Sequence, residues 1–123
     1  MQNPIAKLVP QYFGEYPKSF QKLFDSVSLN PDQDKEEVKS ILWKAYEFGN
    51  RYHEGQKRLS GDPYFSHCIE VANTLANWNM DTTTIIAGLL HDTLEDTDAT
   101  LEDITLNFGE ELGSLVNGLT KLK

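Results

Sequence analysis

The chain has 123 residues, room for one hydrophobic core and no second globular unit. Hydrophobic residues make up 39% and aromatics 11%, too much for a disordered chain. Lys plus Arg number 11 against 19 Asp plus Glu, a net charge of −8, and a field of that sign repels nucleic-acid backbones and argues against a DNA- or RNA-binding protein.

In chain order, residues 1–16 carry Pro4, Pro10 and Gly14 and read as an irregular arm or a short helix. Phe20, Leu23, Phe24 and Val27 follow the i, i+3, i+4, i+7 pattern of a short amphipathic helix over 17–28. Asn30-Pro31-Asp32 is a turn signal, and it divides an N-terminal arm, 1–30, from the core, 31–123. Val38, Ile41, Leu42, Ala45, Phe48 and Tyr52 fall on one stripe and predict a helix over 35–53. Asp62-Pro63 pairs an N-cap residue with a proline suited to the first helical position, so the next helix is expected from there to Trp78. Asp81 to Thr84 cap a helix running to Asp96, and Thr100-Leu101-Glu102-Asp103 resembles a capping box opening a short helix to Asn107. Gly109 separates it from a last helix over 110–118. No period-2 strand is visible, so the expected fold is all-α with five or six helices.

The longest apolar run, Ile85 to Leu90, is far short of the ~20 residues a membrane span needs, so no membrane association is expected. The N-terminus has no signal-peptide pattern. One cysteine, Cys68, excludes an internal disulfide and suits a reducing, cytoplasmic setting.

The chemistry concentrates in 58–96. His67 and His91 are 91 − 67 = 24 residues apart, with Asn79 at the midpoint, inside the expected turn. In an antiparallel helical pair joined there, each histidine lies ~18 Å from the turn at 1.5 Å per residue, so the two imidazoles can face each other. Asp92 follows His91, and Glu95 and Asp96 stand one turn on, at i+4 from His91 and Asp92. Two His, two Asp and one Glu then come within reach of one point. Such N and O donors suit Mn, Fe or Zn, and a divalent ion there could activate water and polarise a phosphoryl oxygen, with the remaining carboxylates moving protons. His53, at the end of its helix, is read as a structural partner of the helix dipole. Arg51, Lys57 and Arg58 form the densest basic cluster of an acidic chain. Cys68 has no Cys-x-x-Cys companion, which argues against a cysteine metal site. Trp43 and Trp78 read as core or interface.

Three segments in order, Arg58-Leu59-Ser60-Gly61-Asp62-Pro63-Tyr64-Phe65-Ser66-His67, Gly88-Leu89-Leu90-His91-Asp92-Thr93-Leu94-Glu95-Asp96-Thr97, and Phe108-Gly109 with Leu115-Val116-Asn117-Gly118-Leu119-Thr120-Lys121-Leu122, closely resemble the N-terminal hydrolase domain of the RelA/SpoT family. These are bifunctional synthetase/hydrolases of (p)ppGpp, the alarmone of the stringent response. The resemblance covers roughly 36–122 and implies an all-helical HD domain that binds one Mn ion through two His and two Asp, the first three matching His67, His91 and Asp92. It also implies that Glu95 and Asp96 act on the attacking water and that Arg58 packs on the guanine base. Lys57, which adds local positive charge for an anionic nucleotide, and Ser60 are expected to bind substrate beside it. The implied reaction removes pyrophosphate from the ribose 3′ position to yield GDP or GTP.

Cys68 stands where the family usually has Pro, Leu59 where a second basic residue is usual, and Asn117 where Asp or Glu is common. The family's second metal-binding Asp lies in a later helix, so this chain reads as the front part of a longer protein carrying most of a hydrolase site. Apolar surface left without that helix, with Trp78 and Ile85-Ile86 as candidates, is expected to drive rearrangement or a homodimer. Two other functions stay open at this point: an HD phosphohydrolase for another nucleotide, and a non-catalytic regulatory module. Association with the ribosome is also open.

Overall fold

A computed structural model describes residues 16–121; the expected arm over 1–15 lies outside the described residues. Six helices follow one another: α1 Lys18–Asp25, α2 Lys35–Tyr52, α3 Phe65–Asn77, α4 Thr82–Asp96, α5 Leu101–Phe108 and α6 Glu110–Lys121. Among the described residues there is no strand, only an isolated bridge between Lys57 and Pro63. The all-α architecture is as expected.

Local chemistry sets most boundaries. The Asp34 carboxylate accepts the Glu36 N–H at 2.9 Å and starts α2, and Asp81 accepts the Thr84 N–H at 2.8 Å and starts α4. The expected box at Thr100 is present in full. Thr100 Oγ1 accepts the Asp103 N–H, the Asp103 carboxylate accepts the Thr100 N–H, each at 3.0 Å, and this bonding holds the Asp103 carboxyl below its ordinary range.

The start of α3 differs from expectation. Asp62 and Pro63 lie before the helix, and Tyr64 takes the N-cap position without a side-chain cap. The Asp62 carbonyl is engaged in a tight turn, accepting the Arg58 N–H at 2.8 Å. Gly61 supplies the positive φ of +93° that this turn requires. With its carbonyl pointed back at Arg58, Asp62 cannot begin the helical ladder.

The turn after α3 falls where the histidine spacing put it. Asn79 has φ +60°, the left-handed conformation that Asn tolerates better than most residues. It joins α3 and α4 into an antiparallel pair, and α4 packs against α2 and α6 as well as α3. With neighbours on several sides, the run Ile85 to Leu90 is buried at all six positions. The expectation that Ile85 and Ile86 form an uncovered patch is therefore wrong. They are 0% and 3% exposed because α2, α3 and α6 surround them. Trp78, at 65% exposure, does lie open in the turn, whereas Trp43 packs edge-on against Tyr16 and Phe20.

An aromatic seam ties α1 to α2 and on to α3: Phe20 meets Tyr46, and Tyr46 meets Phe65, both edge-to-face, at 5.6 and 5.3 Å. Gly49 lets Phe65 come this close, since a Cβ there would lie 2.5 Å from the ring. Gly49→Ala is expected to destabilise the fold by about 1–3 kcal/mol through overpacking, although alanine is the better helix former by about 1 kcal/mol. Urea unfolding checks this, and a variant more stable than the parent would contradict it.

Candidate active site

The α3–α4 pair carries His67 on one helix and His91 and Asp92 on the other. The Asp92 carboxylate is 2% exposed and lies between the two histidines. Its Oδ1 is 3.1 Å from His91 Nε2 and its Oδ2 is 3.9 Å from His67 Nε2. The second separation is within ion-pair reach and beyond a hydrogen bond. Oδ2 also accepts the Tyr64 hydroxyl at 3.3 Å.

The tautomer of His91 follows from its other nitrogen. Nδ1 lies 3.0 Å from the Gly88 carbonyl, which can only accept, so Nδ1 carries a proton. In the neutral ring Nε2 then presents a lone pair toward a carboxylate oxygen at 3.1 Å. Two electron-rich atoms at that separation are stabilised by a proton or a cation beside them. Two imidazoles and one carboxylate are donors of the right type for a first-row divalent ion, so the residues fit such a group in chemistry. Among the described residues no three His, Cys, Asp or Glu side chains are gathered as a ready metal cage.

Glu95 and Asp96 end α4, both exposed on the side chain's outer turn. Arg58 is placed near the same helix pair by a different route: its Nη1 meets Glu70 Oε1 at 3.5 Å, and Glu70 is one turn after His67 on α3. Lys57 and Ser60 are exposed in the same turn, where Ser60 Oγ donates to the Asp62 carboxylate at 3.1 Å. Leu59 is fully exposed.

His53 is more than a helix-end cation. It is 2% exposed and both ring nitrogens are engaged. Nδ1 is 2.8 Å from Gln56 Oε1 and Nε2 is 3.2 Å from Thr93 Oγ1. The Gln56 amide nitrogen in turn donates to the Asp96 carbonyl at 2.9 Å. Since Gln56 Oε1 can only accept, His53 Nδ1 bears a proton. The chain His53–Gln56–Asp96 fastens the loop that carries Arg58 to the end of the helix that carries the acids. Its partners lie 40 residues away in sequence, beyond any local signal.

Cys68 is fully buried, 3.8 Å from His53 Nε2. Burial, then the charges of Asp92 and Asp96, push its thiol up to about 12, so it is a small apolar filler and not a thiolate. Burial and then the same two acids push the Tyr64 phenol up to about 12. A pocket of about 450 Å³ opens beyond His53, between α2 and the 54–63 loop, lined by Trp43, Glu47, Arg51 and Glu54 among others; none of His67, His91, Asp92, Glu95 or Asp96 lines it. Tyr64 was not among the sequence candidates, although it stands three residues before His67 and hence on the same side of the chain.

Residues 45–123 match the family model described as HD domain. The chain belongs to the HD domain family. The HD domain has relatives at high identity that carry the RelA/SpoT resemblance. GTP pyrophosphokinase rsh of Brucella melitensis biotype 1 is 55% identical over 84 residues, 68% of this chain and 11% of that protein. GTP pyrophosphokinase of Streptomyces coelicolor is 41% identical over 118 residues, 96% of this chain and 14% of that protein. GTP pyrophosphokinase of Streptomyces antibioticus is 52% identical over 79 residues, 64% of this chain and 9% of that protein. The HD domain thus spans about a tenth of the length of these relatives. Among its described residues no helix is long and apolar enough to cross a membrane.

Proposed function

We propose that this HD domain is the (p)ppGpp 3′-pyrophosphohydrolase part of a bifunctional RelA/SpoT-type enzyme, dependent on Mn or another divalent ion. The observation that carries the reading is the Asp92 carboxylate flanked by His67 and His91 with Glu95 and Asp96 one turn on, in a domain 55% identical over 84 residues to a protein named GTP pyrophosphokinase. That name describes pyrophosphoryl transfer to GTP. Hydrolysis, the reverse in outcome, is assigned to this part of the chain because its acids and imidazoles are a set for activating water.

His67, His91 and Asp92 would hold the cation, which when bound supplies a water of lowered pKa and neutralises phosphoryl charge. Glu95 or Asp96 takes the proton of the attacking water. Water oxygen bonds to the phosphorus attached to the ribose 3′ oxygen, the P–O3′ bond breaks, and the 3′ oxygen leaves with a proton as a hydroxyl. Arg58 offsets the repulsion a polyanion meets from a chain of net charge −8 and offers a flat guanidinium to a purine face. A guanosine nucleotide and a single thiol both fit a cytoplasmic setting.

The test is incubation of the bifunctional enzyme that carries this domain with Mn²⁺ and ppGpp, followed by separation of products. GDP and pyrophosphate are expected, and turnover of other nucleotides in preference to ppGpp would favour a different HD phosphohydrolase. Arg58→Ala is expected to weaken ppGpp binding about tenfold or more while leaving the unfolding midpoint unchanged, because its pair with Glu70 is exposed and contributes little to stability. Unchanged nucleotide affinity would remove Arg58 from the site.

A further inference from the structure

We propose that Tyr64 is a positioning residue for the Asp92 carboxylate and thereby sets how tightly the site holds a divalent cation; this rests on the metal reading above. A carboxylate turns easily about its last torsion, so a site that depends on one needs something to select its orientation. The Tyr64 hydroxyl donates to Oδ2 at 3.3 Å, the oxygen on the His67 side, while Oδ1 faces His91 Nε2 at 3.1 Å. The donor thus assigns one oxygen to each histidine.

Tyr64 is itself held from several directions. Its ring stacks on His53 with centroids 5.2 Å apart and meets His67 edge-on at 5.8 Å. Its N–H donates to the Gln56 carbonyl at 2.8 Å. His53 is pinned in turn by Gln56 and Thr93. The phenol therefore reaches Asp92 from a fixed platform.

Two effects oppose each other. A hydrogen bond to a carboxylate withdraws electron density and weakens it as a ligand, whereas a fixed orientation strengthens binding by removing freedom beforehand. At 3.3 Å the bond is long compared with the roughly 2.5–2.7 Å of a strong O–H···O⁻ contact, so withdrawal is small and orientation dominates.

The experiment is Mn²⁺ titration of the chain and of Tyr64→Phe, with free Mn²⁺ followed by electron paramagnetic resonance, alongside thermal unfolding of both without metal. Tyr64→Phe keeps the ring and its stacking. Its dissociation constant is expected to rise about tenfold, the lower end for such supporting groups, with the metal-free unfolding midpoint unchanged. Equal or tighter Mn²⁺ binding by the variant would overturn the role of Tyr64 and leave the metal reading standing. Failure of the parent chain to bind Mn²⁺ would overturn both. A variant that loses its folded baseline would make the hydroxyl a structural group and overturn the proposal as well.

Discussion

Replacing Asp92 with Asn is expected to lower divalent-cation affinity by at least about 100-fold while leaving the metal-free protein as stable as the parent or more so. Losing a ligand removes more than the 10- to 100-fold that supporting groups typically contribute. The stability side follows from burial. Asp92 is 2% exposed, and a desolvated carboxylate is costly unless fully compensated. An amide of the same shape sheds that charge and can turn its NH₂ toward the lone pair of His91 Nε2, now 3.1 Å from Oδ1. Calorimetric titration with Mn²⁺ and thermal unfolding measure the two halves separately. An Asn variant that binds Mn²⁺ like the parent would remove Asp92 from any metal site. One that unfolds many degrees earlier would show that its charge is compensated in the metal-free fold.

Leu89→Ala is expected to cost about 3–5 kcal/mol, a large part of the roughly 5–15 kcal/mol available to a domain. Leu89 is fully buried on α4, the helix that packs against α2, α3 and α6 together. A void there has neighbours on several elements and cannot close by shifting one of them. Denaturant unfolding measures the loss. A cost below about 1 kcal/mol would mean that the surrounding helices collapse freely onto the gap.

Much of this arrangement is legible in the residues. The Asn79 midpoint rule places His67 and His91 on facing helices, and the structure brings both to one carboxylate. The Thr100 box is readable because its partners are three residues apart. What is not legible depends on remote partners. Tyr46 is buried just beyond the edge of the expected stripe of α2 because Phe20 of α1 and Phe65 of α3 cover that side. The unbroken run Ile85 to Leu90 signals a helix buried on all sides, but not which helices surround it. His53 looks like a terminal cation until Gln56 and Thr93 are folded against it. Asp62-Pro63 has the chemistry of a helix start, and it is overruled by a turn bond from Arg58.

The α3–α4 pairing has a kinetic consequence. Its donors are separated by 91 − 67 = 24 residues joined through one tight turn, so bringing them together closes a short loop at small entropic cost. Pairing of neighbours in sequence is the fast kind of contact. The bonds from His53 to Thr93 and from Gln56 to Asp96 instead each span 40 residues and are expected at a later stage. The imidazoles and Asp92 are therefore expected to meet before the loop with Arg58 docks, and local opening of that loop is expected to leave the groups beneath it in place.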